Sequence, residues 1–272
     1  MRTRVLTAGS VALLMAVTAL AQFGGPRGPF HEYPNIPYDG QFTFVRLKYT
    51  TAPGGYWYGG WPAWGHGYPL SEQNLMRIMQ EVSYIDPHVD EINAITLDDP
   101  ALFRYPIAYI IEVDWWAMTD REALALRDYI HKGGFVIVDD FKPRRFHGGF
   151  SGGLGGDLGG GYGSGWDVFE AAMRRVLPQG KFVDLDASHP IFHSFFEVDN
   201  LDIIPQAYIA GRPVFRGLFE DNDPSKRLQM IVNYNTDVSQ FWEWSGTGLR
   251  PIDDTNEAYK LGVNYIIYGL TH

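Results

Sequence analysis

Hydrophobic positions along the chain fall into two periods, and they alternate. Short runs that are apolar throughout read as strands. The nearly continuous run Ile107 to Val113 marks a strand covered on both faces. Phe135 to Val138 is a second such run and ends in Asp139-Asp140. Gln41 to Tyr49, with Phe42, Phe44 and Leu47 as buried candidates, predicts the first strand, and Asn93 to Leu97 a shorter one. Later extended segments fall near Phe182 to Leu185, Pro213 to Phe219 and Leu228 to Tyr234.

Between these runs the apolar residues recur at helical spacing. Leu75, Ile78, Met79 and Val82 share one face of a helix that Ser71 is placed to cap. Thr119 and Glu122 form a capping box before Ala123, Leu126 and Ile130, and Gly133-Gly134 stops that helix. A third helix spans Trp166 to Leu177 with Val168, Ala172 and Val176 inward. The last runs from about Asp254, with Tyr259, Val263, Ile266, Ile267 and Leu270 on one side.

Alternating buried strands and amphipathic helices predict an α/β fold: a three-layer sandwich with a mainly parallel sheet, flavodoxin-like in class. Such sheets take ligands beyond the carboxyl ends of their strands. Three features fall there. Tyr49 leads into an aromatic loop carrying Trp57, Trp61 and Trp64. Asp114 precedes Trp115 and Trp116. Asp139-Asp140 precedes a Gly-rich stretch, roughly residues 148 to 165.

The N-terminus changes where this fold is expected to work. Arg2 and Arg4, the apolar stretch Val5 to Leu20, and Ala19-Leu20-Ala21 have the zones of a Sec signal peptide cleaved after Ala21. Residues 1–21 are therefore expected to be removed, residues 22–40 to form a tail, and residues 41–272 to form one domain in the periplasm or outside the cell. No transmembrane segment is expected after cleavage. Loss of the two arginines takes the formal charge from -10 to -12. That balance excludes an electrostatic case for nucleic acid or anionic lipid. The chain has no cysteine, so the fold holds by its core alone, and thiol nucleophiles, thiolate metal sites and thiol redox chemistry are excluded.

Candidate chemistry centres on carboxylates. Strand alternation points Asp139 and Asp140 opposite ways, so one faces the crevice while the other caps or pairs. Together with Asp114 they are the acid/base or cation-binding candidates, against the reading that aspartates at such places cap loops and satisfy exposed backbone amides. The histidines are scattered. His88 sits in a Pro-centred turn, His189 and His193 are four apart with Pro190 between them so that His189 is expected to fix a local turn, and His147 borders the Gly-rich stretch. No zinc signature, phosphate loop or serine elbow is present, so neither a metal nor a cofactor is expected. Tyr49, Trp57, Trp61, Trp64 and Trp115 are the ligand-binding candidates: rings spaced by glycine stack on sugars or bury into a partner, or else fold back over the sheet end.

Several blocks in order carry a family resemblance: Phe44-Val45-Arg46-Leu47-Lys48-Tyr49, Leu102-Phe103-Arg104-Tyr105-Pro106, Tyr129-Ile130 through Gly133-Gly134-Phe135 to Asp139-Asp140, His189-Pro190-Ile191-Phe192, and Leu261-Gly262-Val263-Asn264-Tyr265. The chain resembles an uncharacterised bacterial domain family similar to class I glutamine amidotransferases, whose relatives include sugar-utilisation proteins and membrane-associated proteins encoded near aerotolerance operons. The resemblance implies a fold but no established reaction. True amidotransferases place a cysteine where this chain has Asp139-Asp140-Phe141, and a His-x-Glu downstream; neither exists here. Glutaminase chemistry is therefore excluded. The expected function is an exported, non-catalytic binding or scaffold domain for a cell-envelope carbohydrate or protein partner. The rival is a carboxylate-dependent hydrolase, metal-assisted or not, that uses Asp114, Asp139 or Asp140.

Overall fold

The computed structural model describes residues 30–57, 60–141, 165–204 and 212–272. The segment expected to be a signal peptide, the start of the tail, His147, nearly all of the Gly-rich stretch and the side chain of Trp57 lie outside the described residues.

Strands β1 (Val45–Lys48), β4 (Asn93–Thr96), β5 (Ile107–Ile111), β6 (Phe135–Phe141), β7 (Phe182–Asp184), β8 (Val214–Phe219) and β9 (Leu228–Tyr234) form one sheet in the order β4-β1-β5-β6-β9-β8-β7. From β4 through β9 every pairing is parallel. The last two pairings, β9 with β8 and β8 with β7, are antiparallel. β2 (Tyr56–Trp57) and β3 (Trp61–Pro62) make a separate two-stranded ribbon inside the aromatic loop.

The helices are α1 (Leu70–Val82), α2 (Asp120–His131), α3 (Gly165–Val176), α4 (Val238–Glu243) and α5 (Ile252–Thr271). α1, α4 and α5 pack on one another, and α2 packs on α3. The chain leaves β1 through α1 toward one sheet edge and leaves β5 through α2 toward the other. Right-handed crossovers running in opposite directions put the two helix sets on opposite faces. The result is an α/β sandwich of three layers. The crevice opens between β1 and β5, where the connections diverge.

The core follows the apolar pattern. All of β5 is buried, as expected for a strand covered on both faces. The capping box at Thr119 and Glu122 is formed in both directions, and Ala123, Leu126 and Ile130 are buried beneath α2. No helix among the described residues is long and apolar enough to cross a membrane.

Several expectations are corrected. Ser71 does not cap α1; the helix begins one residue earlier, and the Ser71 hydroxyl turns inward to the Gly67 carbonyl and Glu72. Val82 and Leu270 are exposed near helix ends, where the stripe outruns the layer beneath it. In α3, Phe169 and Met173 fill the core alongside Ala172 and Val176, while Val168 is only partly buried. The run from Ile107 ends as a strand at Ile111, because Glu112 takes a left-handed backbone.

Candidate functional site

Three connections meet above the carboxyl ends of β1, β5 and β6, each delivering one side chain. The loop between the ribbon and α1 brings His66. The residue after β5 is Glu112. The end of β6 brings Asp140. His66 Nδ1 lies 3.2 Å from Asp140 Oδ2 and 3.4 Å from Glu112 Oε1. One donor atom from each residue lies within 4.8 Å of the other two. Glu112 and Asp140 are only 1 % exposed, whereas the His66 side chain is 22 % exposed and forms the open edge of the site.

His66 has no regular element of its own, so its position depends on Arg46. That side chain is fully buried on β1, an expensive place for a guanidinium unless all its donors are engaged. Its Nε donates to Glu72 Oε1 of α1 at 2.5 Å. Nη1 donates to the carbonyls of Trp64 at 2.9 Å and His66 at 3.1 Å. Glu72 is fully buried as well and completes the ion pair. The Arg46 guanidinium also lies 4.9 Å from the Tyr109 ring centre on β5. One ion pair thus ties β1, α1 and the His66 loop together.

Glu112 and Asp140 both have positive φ, 50° and 53°. A side chain there costs about 1–3 kcal/mol unless its surroundings hold it. At Glu112 the holding group is Tyr49, whose hydroxyl lies 2.7 Å from the Glu112 carbonyl and 3.0 Å from that of Ile111. Burial, followed by the charges of Glu112, Asp114 and Asp140, pushes the Tyr49 phenol well above its ordinary range, so it remains a donor. At Asp140 the β6–β9 register shifts between Val138 and Phe141. A bulge re-aims side chains that alternation would otherwise fix.

The two neighbouring aspartates have separate tasks. Asp139 is fully buried and accepts from Tyr109 Oη at 2.8 Å, Asn233 Nδ2 at 3.0 Å, Ser239 N at 2.9 Å and Val238 N at 3.2 Å. It therefore anchors the first turn of α4. Burial raises its pKa despite those bonds. Asp237, the N-cap of α4, is pushed up to about 6 by burial and by the charge of Asp139. α4 then carries Glu243 to 4.0 Å from His66 Nε2, on the ring side opposite Asp140. Burial opposes charge on His66, but its bonds to Asp140 and Glu112 prevail and lift it well above the usual histidine range.

Of the predicted acidic residues, Asp140 reaches His66 and Asp139 binds helix α4. Asp114 sits partly buried in the turn after Glu112, outside the trio. Tyr49 is buried and bonded to main chain. Trp64 is buried, and Trp61 is partly buried; Phe30 packs edge-on against both, at 5.1 Å from Trp61 and 5.2 Å from Trp64. Trp115 lies beneath Gly55, where a Cβ would stand 2.7 Å from the tryptophan's own. His88 bonds to Asp39 at 3.0 Å, and His189 accepts from Ile191 N, fixing its local turn.

Sequence reasoning missed His66, Glu112, Glu243 and Arg46. Glu112 left one signal: a lone carboxylate between Ile111 and Val113 in an otherwise apolar run. Arg46, charged in a strand whose neighbours Val45 and Leu47 are apolar, left a similar one. His66 left none, because its partners Glu112 and Asp140 are far along the chain, Asp140 by 74 residues.

In comparison with known proteins, residues 43–270 match a family model described as a domain of unknown function, DUF4159. No curated protein matches the chain.

Proposed function

We propose, from the premise that the chain belongs to the DUF4159 family, that it is a carboxylate-dependent hydrolase whose centre is His66, Glu112 and Asp140. The observation that carries this reading is convergence. Two strand-end carboxylates, both on left-handed backbone, are aimed at one partly open imidazole. Strain of that kind persists where the surrounding structure imposes it, and it gathers at working sites. The position supports the same reading, since crevices beyond diverging strand connections are where open α/β sheets place ligands.

In the proposed reaction, water held among the three side chains gives up a proton to the centre. Its oxygen attacks the substrate's electrophilic carbon, and the departing oxygen takes a proton as its bond breaks. The acidic lining and the net charge of -10 disfavour anionic substrates, leaving neutral ones such as envelope polysaccharide. Export by a Sec signal belongs to this reading, as does descent of the fold from the class I amidotransferase type. The strand order β4-β1-β5-β6 supports that descent, being the 2-1-3-4 start of a flavodoxin-like sheet.

The test is sugar release from isolated envelope polysaccharide by the purified protein. Glu112→Gln and Asp140→Asn are expected to lower the rate by about 10²–10⁴-fold, the scale of a lost acid or base. Asp114→Asn should stay near wild type. Equal activity in all three variants would exclude this centre.

A non-catalytic binding role is the second reading. Its supporting observation is the ribbon, where Tyr56 is exposed and Trp61 partly so. Loss of polysaccharide capture in Trp61→Ala, with capture intact in Asp140→Asn, would favour it.

A further inference from the structure

We infer that His66, Glu112 and Asp140 form a binding site for one divalent transition-metal ion of the zinc or manganese class, with Glu243 orienting the histidine. The inference rests on the location proposed above for the active site, and it sets aside the expectation from sequence that no metal is bound.

The geometry of the imidazole is the first argument. His66 Nδ1 faces Asp140 Oδ2 at 3.2 Å and Glu112 Oε1 at 3.4 Å. A single N–H at that nitrogen is shared between two carboxylates. A cation seated between the three atoms satisfies both carboxylates and the nitrogen lone pair together. Donors about 2.1 Å from one ion, set at tetrahedral angles, lie about 3.4 Å apart. The two separations from the ring nitrogen are close to that value, so the side chains need little movement to close on an ion.

Charge is the second argument. Glu112 and Asp140 are almost completely buried, and Glu243 is buried beside them. Carboxylates gathered in a buried place favour a cation among them. A divalent ion supplies more positive charge at the same point.

The third argument is the far side of the ring. Metal-bound histidines nearly always direct their other N–H to a carboxylate or carbonyl, which fixes the ring and raises its basicity. Here Nε2 lies 4.0 Å from Glu243 Oε2, an ion-pair separation short of a hydrogen bond, and Glu243 stands on α4, which carries none of the three ligands. Nitrogen with carboxylate oxygen suits zinc or manganese better than calcium, which prefers an all-oxygen shell. Three protein ligands would leave a coordination position toward the exposed edge of His66, as catalytic metal sites do.

A second cluster, His193 with Glu197 and Asp199, also has metal-ligand spacing. Its two acids are exposed. Both of its imidazole nitrogens are engaged, Nδ1 with Glu197 at 2.5 Å and Nε2 with the Ala187 carbonyl at 2.6 Å. It serves as the control.

The experiment is calorimetric titration of the EDTA-treated full chain with Zn²⁺ and Mn²⁺, with Ca²⁺ for comparison. The expected result is one site, weakened at least tenfold by His66→Ala, Glu112→Gln or Asp140→Asn and by about 10–100-fold in Glu243→Gln, with His193→Ala unchanged. Absence of binding, or affinity that follows His193 instead of His66, would overturn the inference. The unfolding midpoint of each metal-free variant separates lost ligation from lost folding. Should metal fail to bind while Glu112→Gln still abolishes sugar release, this inference falls and the hydrolase reading stands. Zinc binding at His66 without sugar release would uphold the metal site and remove the hydrolase.

Discussion

The guanidinium of Arg46, on β1, donates to the main-chain carbonyl of His66 at 3.1 Å. A buried charge on a strand thereby sets the position of a loop histidine twenty residues later. The same group is paired with Glu72, and both side chains are fully buried. The ion pair therefore works less as a source of stability than as a jig for the site.

Replacing Arg46 by Met leaves Glu72 buried without its counter-charge. Breaking a buried pair from one side costs about 3–5 kcal/mol. The double variant Arg46→Met/Glu72→Met removes the stranded charge and should recover part of that loss in urea unfolding. It should not restore the site, since the carbonyls of Trp64 and His66 lose their donor either way. Recovery of wild-type turnover in the double variant would show that the His66 loop holds its shape without Arg46.

Glu112→Gly separates function from stability. Glycine takes positive φ without steric penalty, so the substitution relieves strain at the φ of 50°. Removing the carboxylate also lowers the buried negative charge beside Asp140. The variant is expected to be about 1 kcal/mol more stable than wild type while sugar release is abolished. Destabilisation would mean that the Glu112 side chain holds the fold as well as the site.

The fold was more legible than the site because burial leaves a periodic trace and convergence does not. The apolar run of β5, the Thr119–Glu122 capping box and the Gly133 stop are local patterns, and each is present, with the strand ending two residues before its apolar run does. Asp139-Asp140 was legible as a strand-end pair, one residue capping and the other facing the crevice. Its bulge was not, because a one-residue shift depends on the partner strand β9. α4 escaped notice because six residues hold too few turns to show a stripe. With it went Glu243, whose approach to His66 depends on Asp139 holding the far end of that helix.

The buried pair Asp139 and Asp237 predicts an unusual dependence on pH. An unfolded aspartate titrates near 3.9, whereas Asp237 in the fold is pushed up to about 6 by burial and by Asp139. Between those values the folded chain keeps a proton that the unfolded chain has lost. Its contribution is therefore fully present below about pH 4 and declines as pH rises through 6, by up to roughly 3 kcal/mol. Exposed Asp186 and Asp223 are held low by neighbouring serines and act in the opposite sense. The test is accordingly the difference between wild type and Asp237→Asn in urea midpoints from pH 4 to pH 7. The wild type should lose stability relative to the variant across that window, and a constant difference would refute the assignment.

Gly262 and Gly269 lie in the same helix, and substituting each by alanine separates a general packing cost from a specific one. A Cβ at Gly262 would stand 2.7 Å from the Trp242 ring and 2.8 Å from Leu75. A Cβ at Gly269 would stand 2.7 Å from Phe135, at the opposite end of the sheet from His66. Each substitution gains about 1 kcal/mol of helix propensity and loses about 1–3 kcal/mol to overpacking, so the net stability change should be small and similar. Their effects on the site should differ. Trp242 ties α4 to both neighbouring helices: its Nε1 donates to the Ala258 carbonyl at 3.0 Å, and its own carbonyl accepts from Asn74 at 2.8 Å. Its neighbour in the chain is Glu243. Displacement of Trp242 therefore moves the carboxylate proposed to orient His66, and Gly262→Ala should weaken zinc binding several-fold while Gly269→Ala leaves it unchanged. Equal affinities in the two variants would show that α4 does not transmit its packing on α5 to the site.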